Sequence, residues 1–202
     1  MRNDFVTAIK TNQTAFGLEI PDDAIERLAD YYDLIQEHNP LLHLVGPCTP
    51  EEFATRHILE SLTLLDHLPK DSRFADVGTG GGLPAIPCLL VRDDLKAILI
   101  ESKEKKSKFL HLAVEKLKLK YRTRISATQF AETNLSHCHA VTCRALDKFA
   151  ERLPRLAHWS NPHQMLLFGG ENLRRALQEQ KISFTSKLMP LSEQRFLFIT
   201  SR

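Results

Sequence analysis

The eight positions from Asp76 to Leu83 hold one carboxylate, one hydroxyl (Thr79) and four glycines, among them Gly78, Gly80 and Gly82. Glycines accept positive φ and let a ligand come close to the backbone. Leu83 to Val91 restarts an apolar pattern at helical spacing, and the first N–H groups of a helix are free to donate. A strand, a glycine turn and a helix start together form a cradle of nucleotide size. Asp76 can orient that turn by accepting backbone N–H groups, or face an amino group of the ligand. Glu101 closes a second apolar run 19 residues beyond Gly82. A carboxylate at the carboxyl end of a strand is placed to accept both hydroxyls of a ribose. Arg144 follows another strand pattern directly and suits an anion, a carboxylate or a phosphate, held by two parallel bonds.

Spacing selects among nucleotide-binding turns. A dinucleotide fingerprint needs Gly-x-Gly-x-x-Gly, and its third glycine falls here on Leu83. An acid followed by Gly-x-Gly-x-Gly instead resembles the first motif of Rossmann-like methyltransferases that use S-adenosylmethionine (AdoMet). In that class the turn wraps an amino-acid moiety and a ribose, with no pyrophosphate to seat. A turn without a ligand is the bland alternative, and so many special residues in one turn would then cost chain entropy for nothing. Many methyltransferases that modify an amino group carry an acidic or asparagine-centred motif where this chain has Arg144. An arginine there fits an acceptor such as guanine N7, already nucleophilic and in need of alignment rather than a base.

The remaining reactive residues form no second centre. Cys48, Cys88, Cys138 and Cys143 lack Cys-x-x-Cys pairing and read as free thiols of a reducing compartment. The nine histidines are scattered without zinc spacing, so no metal is expected. Lys103, Lys105, Lys106 and Lys108, continued by Lys116, Lys118, Lys120, Arg122 and Arg124, form the densest basic region. They read either as a solvated helix face or as a track for phosphates.

The positioning elements follow from periodicity. Asp4–Phe16 and Asp22–His38 are expected as amphipathic helices, the second stopped by Asn39-Pro40. Thr49 caps a third helix with Pro50 in its first turn and an apolar stripe at Phe53, Ile58, Leu62 and Leu65. Arg56, His57, Glu60 and Ser61 surround that stripe. From Arg73 onward strands and helices alternate. Strands are expected at Arg73–Val77, Lys96–Ile100, Arg122–Ala127, Ala140–Cys143 and Gln164–Phe168, with an antiparallel pair at Ile182–Lys187 and Arg195–Thr200. Helices are expected at Leu83–Val91, Lys103–Lys118, Leu146–Trp159 and Glu171–Gln180. The result is an α/β fold, a seven-stranded, mostly parallel sheet with an N-terminal helical cap. We expect a single domain, with the cap at 1–68 and a Rossmann-like core at 69–202.

Totals exclude little else. The chain has 202 residues, a formal charge of +2, 43% hydrophobic and 26% charged residues, ordinary values for a globular protein. The longest uncharged apolar run is too short to span a bilayer, so no membrane role is expected. A near-balanced charge still permits basic residues on one face for RNA.

These residues resemble the RsmG (GidB) family of small-subunit ribosomal RNA guanine-N7 methyltransferases over roughly Ile25 to Thr200. Arg56-His57-Ile58-Leu59-Glu60-Ser61 is similar to the family's Arg-His-x-x-Asp-Ser helix. Asp76 to Pro87 is similar to its most characteristic segment, and the Leu-Pro-x-Ile-Pro tail is more specific than the glycines. Glu101-Ser102, Lys105-Lys106, Phe109-Leu110 and Cys143-Arg144-Ala145 match in order. The resemblance implies AdoMet as cofactor, with contacts from Gly78, Leu83, the Gln129–Phe130 position and Arg144, and 16S ribosomal RNA near its 530 loop as substrate. Four places depart from the family pattern: Leu42-His43-Leu44-Val45 replaces Tyr-Asn-Leu-Thr, Gln129-Phe130 replaces a small residue and Glu, His139 replaces an acid, and Gly169 replaces a lysine.

The reading is therefore a cytoplasmic, monomeric AdoMet-dependent rRNA methyltransferase. Asp76, Gly78, Thr79, Gly80, Gly82, Leu83, Glu101, Gln129, Phe130 and Arg144 are the expected cofactor residues. Arg144 is also the catalytic candidate, and Arg56 and Ser61 are expected on the substrate side. The alternative is a catalytically silent RNA-binding protein of methyltransferase fold. A nicotinamide-dependent oxidoreductase would require the missing third glycine and a separate substrate domain.

Overall fold

Val77 and Ile100 end two adjacent parallel strands, and from that pair the sheet extends in both directions. The computed structural model describes residues 1–144 and 148–201. Strands β1 (Arg73–Val77) and β2 (Lys96–Ile100) have the expected bounds, and each is buried at all but its first residue. Such near-continuous apolar runs belong to strands covered on both faces. β3 (Thr123–Ser126) joins β2; β4 (Ala140–Arg144) joins β1; β5 (Gln164–Gly169) joins β4; all three pairs are parallel. β7 (Phe196–Thr200) pairs antiparallel with β5 on one side and with β6 (Phe184–Leu188) on the other.

Among the described residues this gives seven strands in the order β3-β2-β1-β4-β5-β7-β6. The expected terminal pair forms, and its second strand is the one inserted beside β5. Strand order reverses between β1 and β4, and in open α/β sheets the crevice beyond the carboxyl ends at such a switch point takes ligands. Asp76 and Arg144 lie near those ends, on neighbouring strands.

Helices cover both faces. α1 (Arg2–Asn12), α2 (Asp22–Leu42), α5 (Ala85–Val91) and α6 (Glu104–Lys116) bury residues in one apolar cluster with Phe74, Ala97 and Leu99 of the sheet. α7 (Phe149–Ser160) and α8 (Glu171–Glu179) close the opposite face over Val141, Leu167 and Phe198. The expected start of α7 at Leu146 lies outside the described residues.

Two helices depart from expectation. α2 continues through Pro40 to Leu42, where the sequence suggests a stop at Asn39. Pro40 falls in the last turn, and the helix ends two residues later on a left-handed His43 whose N–H bonds to Asn39 O at 3.0 Å. The Asn39 amide then pairs with both N–H and C=O of Val45, fastening the exit loop.

The third helix is one rod of changing pitch. α3 (Pro50–Glu52) begins with the expected Thr49 cap, completed as a capping box by Glu52. A π-helical segment, Phe53–Leu59, follows, then α4 (Glu60–Leu62) and a 3₁₀ turn, Thr63–His67. The wide segment lets Phe53 and Ile58, five residues apart, both be fully buried.

Candidate cofactor site and family

The glycine turn is tied to the strand beside it. The N–H groups of Gly78 and Thr79 both donate to Ile100 O, at 2.9 and 3.2 Å. The Gly80 N–H donates to Glu101 Oε2 at 3.1 Å, and the Lys103 N–H donates to Glu101 Oε1 at 2.8 Å. Glu101, 6% exposed, thus closes the turn against the start of α6. A carboxylate offers about four acceptor sites, so two remain for a ribose.

Asp76 fixes the other side of the turn. Its Oδ2 accepts the Thr79 hydroxyl at 2.6 Å and the Ala85 N–H at 3.3 Å, and its Oδ1 is buried without a partner among the described residues. Burial pushes this carboxyl up to about 8; the Thr79 and Ala85 bonds pull it down, nearby Glu101 pushes it up and Arg144 pulls it down. Gly82 holds φ +99°, and a Cβ there would stand 2.3 Å from Ile86 Cδ1. Gly81 lies under Ile35 and Leu44, and its carbonyl accepts the buried Tyr31 hydroxyl at 2.9 Å.

Arg144 enters from β4. Its Nη2 donates to Arg56 O at 2.5 Å and to Glu60 Oε2 at 3.3 Å. Its Nη1 is buried and has no partner among the described residues. Glu60, 2% exposed, also accepts from Arg195 Nε at 2.6 Å. His57 Nδ1 is likewise buried and unpartnered, and burial together with Arg144, Arg56 and Arg195 holds the imidazole down to about 3, hence neutral near pH 7.

These parts surround a cavity of about 230 Å³. Gly78, Thr79, Gly80, Gly81 and Leu83 form its floor; His57 and Arg144 face them, and Leu44, Val45, Gly46 and Lys106 close the rim. Lys106 Nζ donates to His43 O at 3.2 Å, drawing the loop after α2 over the turn. A larger cleft of about 460 Å³ lies among Arg73, Lys96, Tyr121 and Arg124. It sits at the amino ends of the strands, away from the switch point, so the smaller cavity is the candidate site.

Asp76, Gly78, Thr79, Gly80, Gly82, Leu83, Glu101 and Arg144 therefore come together. Four expected residues do not join them. Gln129 is exposed beyond β3, and Phe130 packs in the core against Trp159 at 5.3 Å with Arg155 over its ring. Ser61 is fully buried, its hydroxyl bonded to His57 O at 2.5 Å, which removes it from a substrate-facing surface. Arg56 is exposed, and its carbonyl rather than its guanidinium meets Arg144.

The basic region is not one track. Lys106 turns to the cavity, Lys108 pairs with Glu104 at 2.6 Å, and Arg122 donates to Leu89 O and Arg92 O. Gly169, where the family pattern has lysine, faces Leu173; a Cβ would lie 2.5 Å from Leu173 Cδ2. Arg195 and Tyr31 escape the sequence reading because each reaches the site only through tertiary packing. Among the described residues no cluster of histidine, cysteine or acids could hold a metal, and no helix is long and apolar enough to cross a membrane.

The family model described as rRNA small subunit methyltransferase G matches residues 24–197. The chain belongs to this family. Ribosomal RNA small subunit methyltransferase G of Neisseria meningitidis serogroup A is 33% identical over 150 residues, covering 74% of this chain and 72% of the relative. The protein of the same name from Sorangium cellulosum is 33% identical over 175 residues, covering 82% and 72%. Among solved structures, the B. subtilis M1A22 tRNA methyltransferase TrmK superimposes with a TM-score of 0.55 at 16% identity, over 70% of this chain and 64% of that one. That likeness is one of fold. This small-subunit rRNA methyltransferase thus carries the Rossmann-like sheet with its glycine turn at the switch point.

Proposed function

We propose that the glycine cavity binds AdoMet and that the enzyme methylates guanine N7 in the 530-loop region of 16S ribosomal RNA. The observation that carries this reading is the buried, unpartnered Nη1 of Arg144 beside a glycine floor that leaves room for a ligand. A buried cationic donor without a partner is costly, and a carboxylate would satisfy it with a charge-assisted bond. Asp76 Oδ1, equally orphaned, becomes the acceptor for the ligand's amino group once that cation displaces the proton which burial otherwise holds on this carboxyl. Glu101 keeps acceptor capacity for the ribose.

AdoMet supplies an electrophilic methyl group on a sulfonium. The protein has to bring the guanine N7 lone pair into line with that methyl and to keep water out. N7 bears no proton, so no general base is needed, in keeping with a His57 imidazole held down to about 3 and therefore a weak base. Arg144 holds the ligand's anionic end, the turn fixes its depth, and Leu44 and Val45 exclude solvent at the rim. Arg56, exposed beside the cavity, is the contact for RNA phosphate. We place this activity in the cytoplasm, with a monomer acting on the small ribosomal subunit.

A second reading, a silent RNA-binding protein, draws on Phe130 being turned into the core rather than toward a ligand. Calorimetric titration with AdoMet separates the two. Wild-type protein is expected to bind, and Gly80→Arg to lose binding. A Cβ at Gly80 meets nothing nearer than 3.9 Å, but φ of +57° strains any side chain there, so thermal unfolding is run beside the titration to separate a blocked pocket from a misfolded turn. Small subunits from cells lacking the gene should then gain N7-methylguanosine. Absence of binding with and without the subunit favours the silent reading.

A further inference from the structure

The rod from Pro50 to His67 changes pitch where it passes the end of β4. The N–H of Glu60 bonds to Thr55 O, five residues back, and so does not engage Arg56 O as an α-helix would. Arg144 Nη2 donates to Arg56 O instead. The widened turn therefore supplies a backbone acceptor at the place where the guanidinium arrives.

Glu60 completes the holder. Its Oε2 accepts from Arg144 Nη2 at 3.3 Å, and its Oε1 accepts from Arg195 Nε at 2.6 Å. Glu60 is only 2% exposed, and a buried carboxylate without such partners would be strongly destabilising. Two arginines on one carboxylate leave a surplus of one positive charge. The free donor, Nη1 of Arg144, belongs to a residue that lines the cavity. Phe168 lies 5.5 Å from the Arg144 Cζ and restrains the plane of the group.

We propose that Glu60, itself fixed by Arg195, is a positioning residue that aims Nη1 of Arg144 at the carboxylate of AdoMet. The proposal rests on reading the glycine cavity as the AdoMet site. Glu60 touches neither cofactor nor RNA in this scheme; it sets the angle of the group that does. Arg195 stands at the entrance of β7, so the inserted strand contributes to cofactor recognition at one remove.

The test compares two probes on the full chain, AdoMet and 5′-methylthioadenosine, by calorimetric titration. The second keeps adenine and ribose and lacks the amino-acid end, carboxylate and amino group together, and the sulfonium charge. Loss confined to AdoMet in variants of a cationic holder therefore reports on the anionic end. Arg144→Gln, Glu60→Gln and Arg195→Gln are each expected to weaken AdoMet about 10-fold or more and to leave 5′-methylthioadenosine within about twofold. Glu60→Asp, which keeps the charge, should recover most of the loss. Thermal unfolding runs beside each titration. If Glu60→Gln fails to fold, Arg195→Gln decides, because that side chain is 35% exposed. AdoMet affinity unchanged in Glu60→Gln or Arg195→Gln overturns the proposal. Equal weakening of both probes, or no recovery in Glu60→Asp, reduces Glu60 to a structural ion pair. Wild-type protein that binds neither probe removes the AdoMet reading itself, a result distinct from the others.

Discussion

The Tyr31 hydroxyl donates to Gly81 O at 2.9 Å, joining the middle of α2 to the floor of the cavity. Both groups are buried, so the bond has no water to replace it. Tyr31→Phe leaves the Gly81 carbonyl unsatisfied and is expected to cost about 1–3 kcal/mol of stability. Urea denaturation measures the loss. Weaker AdoMet binding in the same variant would show that the helical cap holds the turn in its binding shape.

Gly82 leaves no room for a side chain. Gly82→Ala must accept φ +99° and a Cβ 2.3 Å from Ile86 Cδ1. Positive φ costs an L residue about 1–2 kcal/mol, and overpacking adds about 1–3 kcal/mol. The variant is expected to unfold at distinctly lower denaturant. Gly82→Ala with Ile86→Val should regain part of that loss, as measured by the same midpoint, because one of the crowding methyl groups is gone.

Asp76 gives the protein a pH signature. Its carboxyl is raised from 3.8 to about 8, mainly by burial, so the folded state holds a proton that the unfolded state has released. Its contribution is full below about pH 4 and is lost as pH climbs through about 8. His57, neutral when folded, acts in the opposite direction and only below about 6.5. Denaturation midpoints between about pH 7 and pH 8 report mainly on Asp76, because the Cys48, Cys88 and Cys138 thiols, also raised by burial, act in the same direction only as pH nears their ordinary value of 9. Wild-type stability should fall across that window, and Asp76→Asn should flatten the slope.

Gly169→Lys restores the family's residue, yet the site has closed over it. The new Cβ meets Leu173 Cδ2 at 2.5 Å and Leu173 Cβ at 2.9 Å. The expected outcome is a loss of about 1–3 kcal/mol with no gain in AdoMet affinity. Pairing it with Leu173→Ala opens the space; a gain in affinity then would show that the lysine's function was lost here and not transferred.

Strands β1 and β2 are legible to the residue because each is a short apolar run with a turn signal at its carboxyl end. Sheet order follows less directly; insertion of β7 between β5 and β6 has no local signal. In the site, the Asp76–Leu83 turn and Glu101 declare themselves by residue type and spacing. Arg144 does so by standing at a strand end. The holder around Arg144 does not. Its π-helical segment leaves one trace, a five-residue interval between Phe53 and Ile58 where three or four would be regular. Phe130 misleads for a plain reason. An aromatic beside a ligand pocket and an aromatic under Trp159 look alike until the packing is known.

The holder also has a kinetic implication. Glu60 meets Arg144 and Arg195 across 84 and 135 residues of chain, so its two ion pairs close very large loops. Contacts of such separation repay their closure entropy only after much of the sheet exists. Competence to bind cofactor should therefore be acquired late in refolding. In stopped-flow experiments the helical circular dichroism signal is expected to return before the chain regains affinity for AdoMet, read by adding radiolabelled cofactor at successive refolding times and trapping the complex.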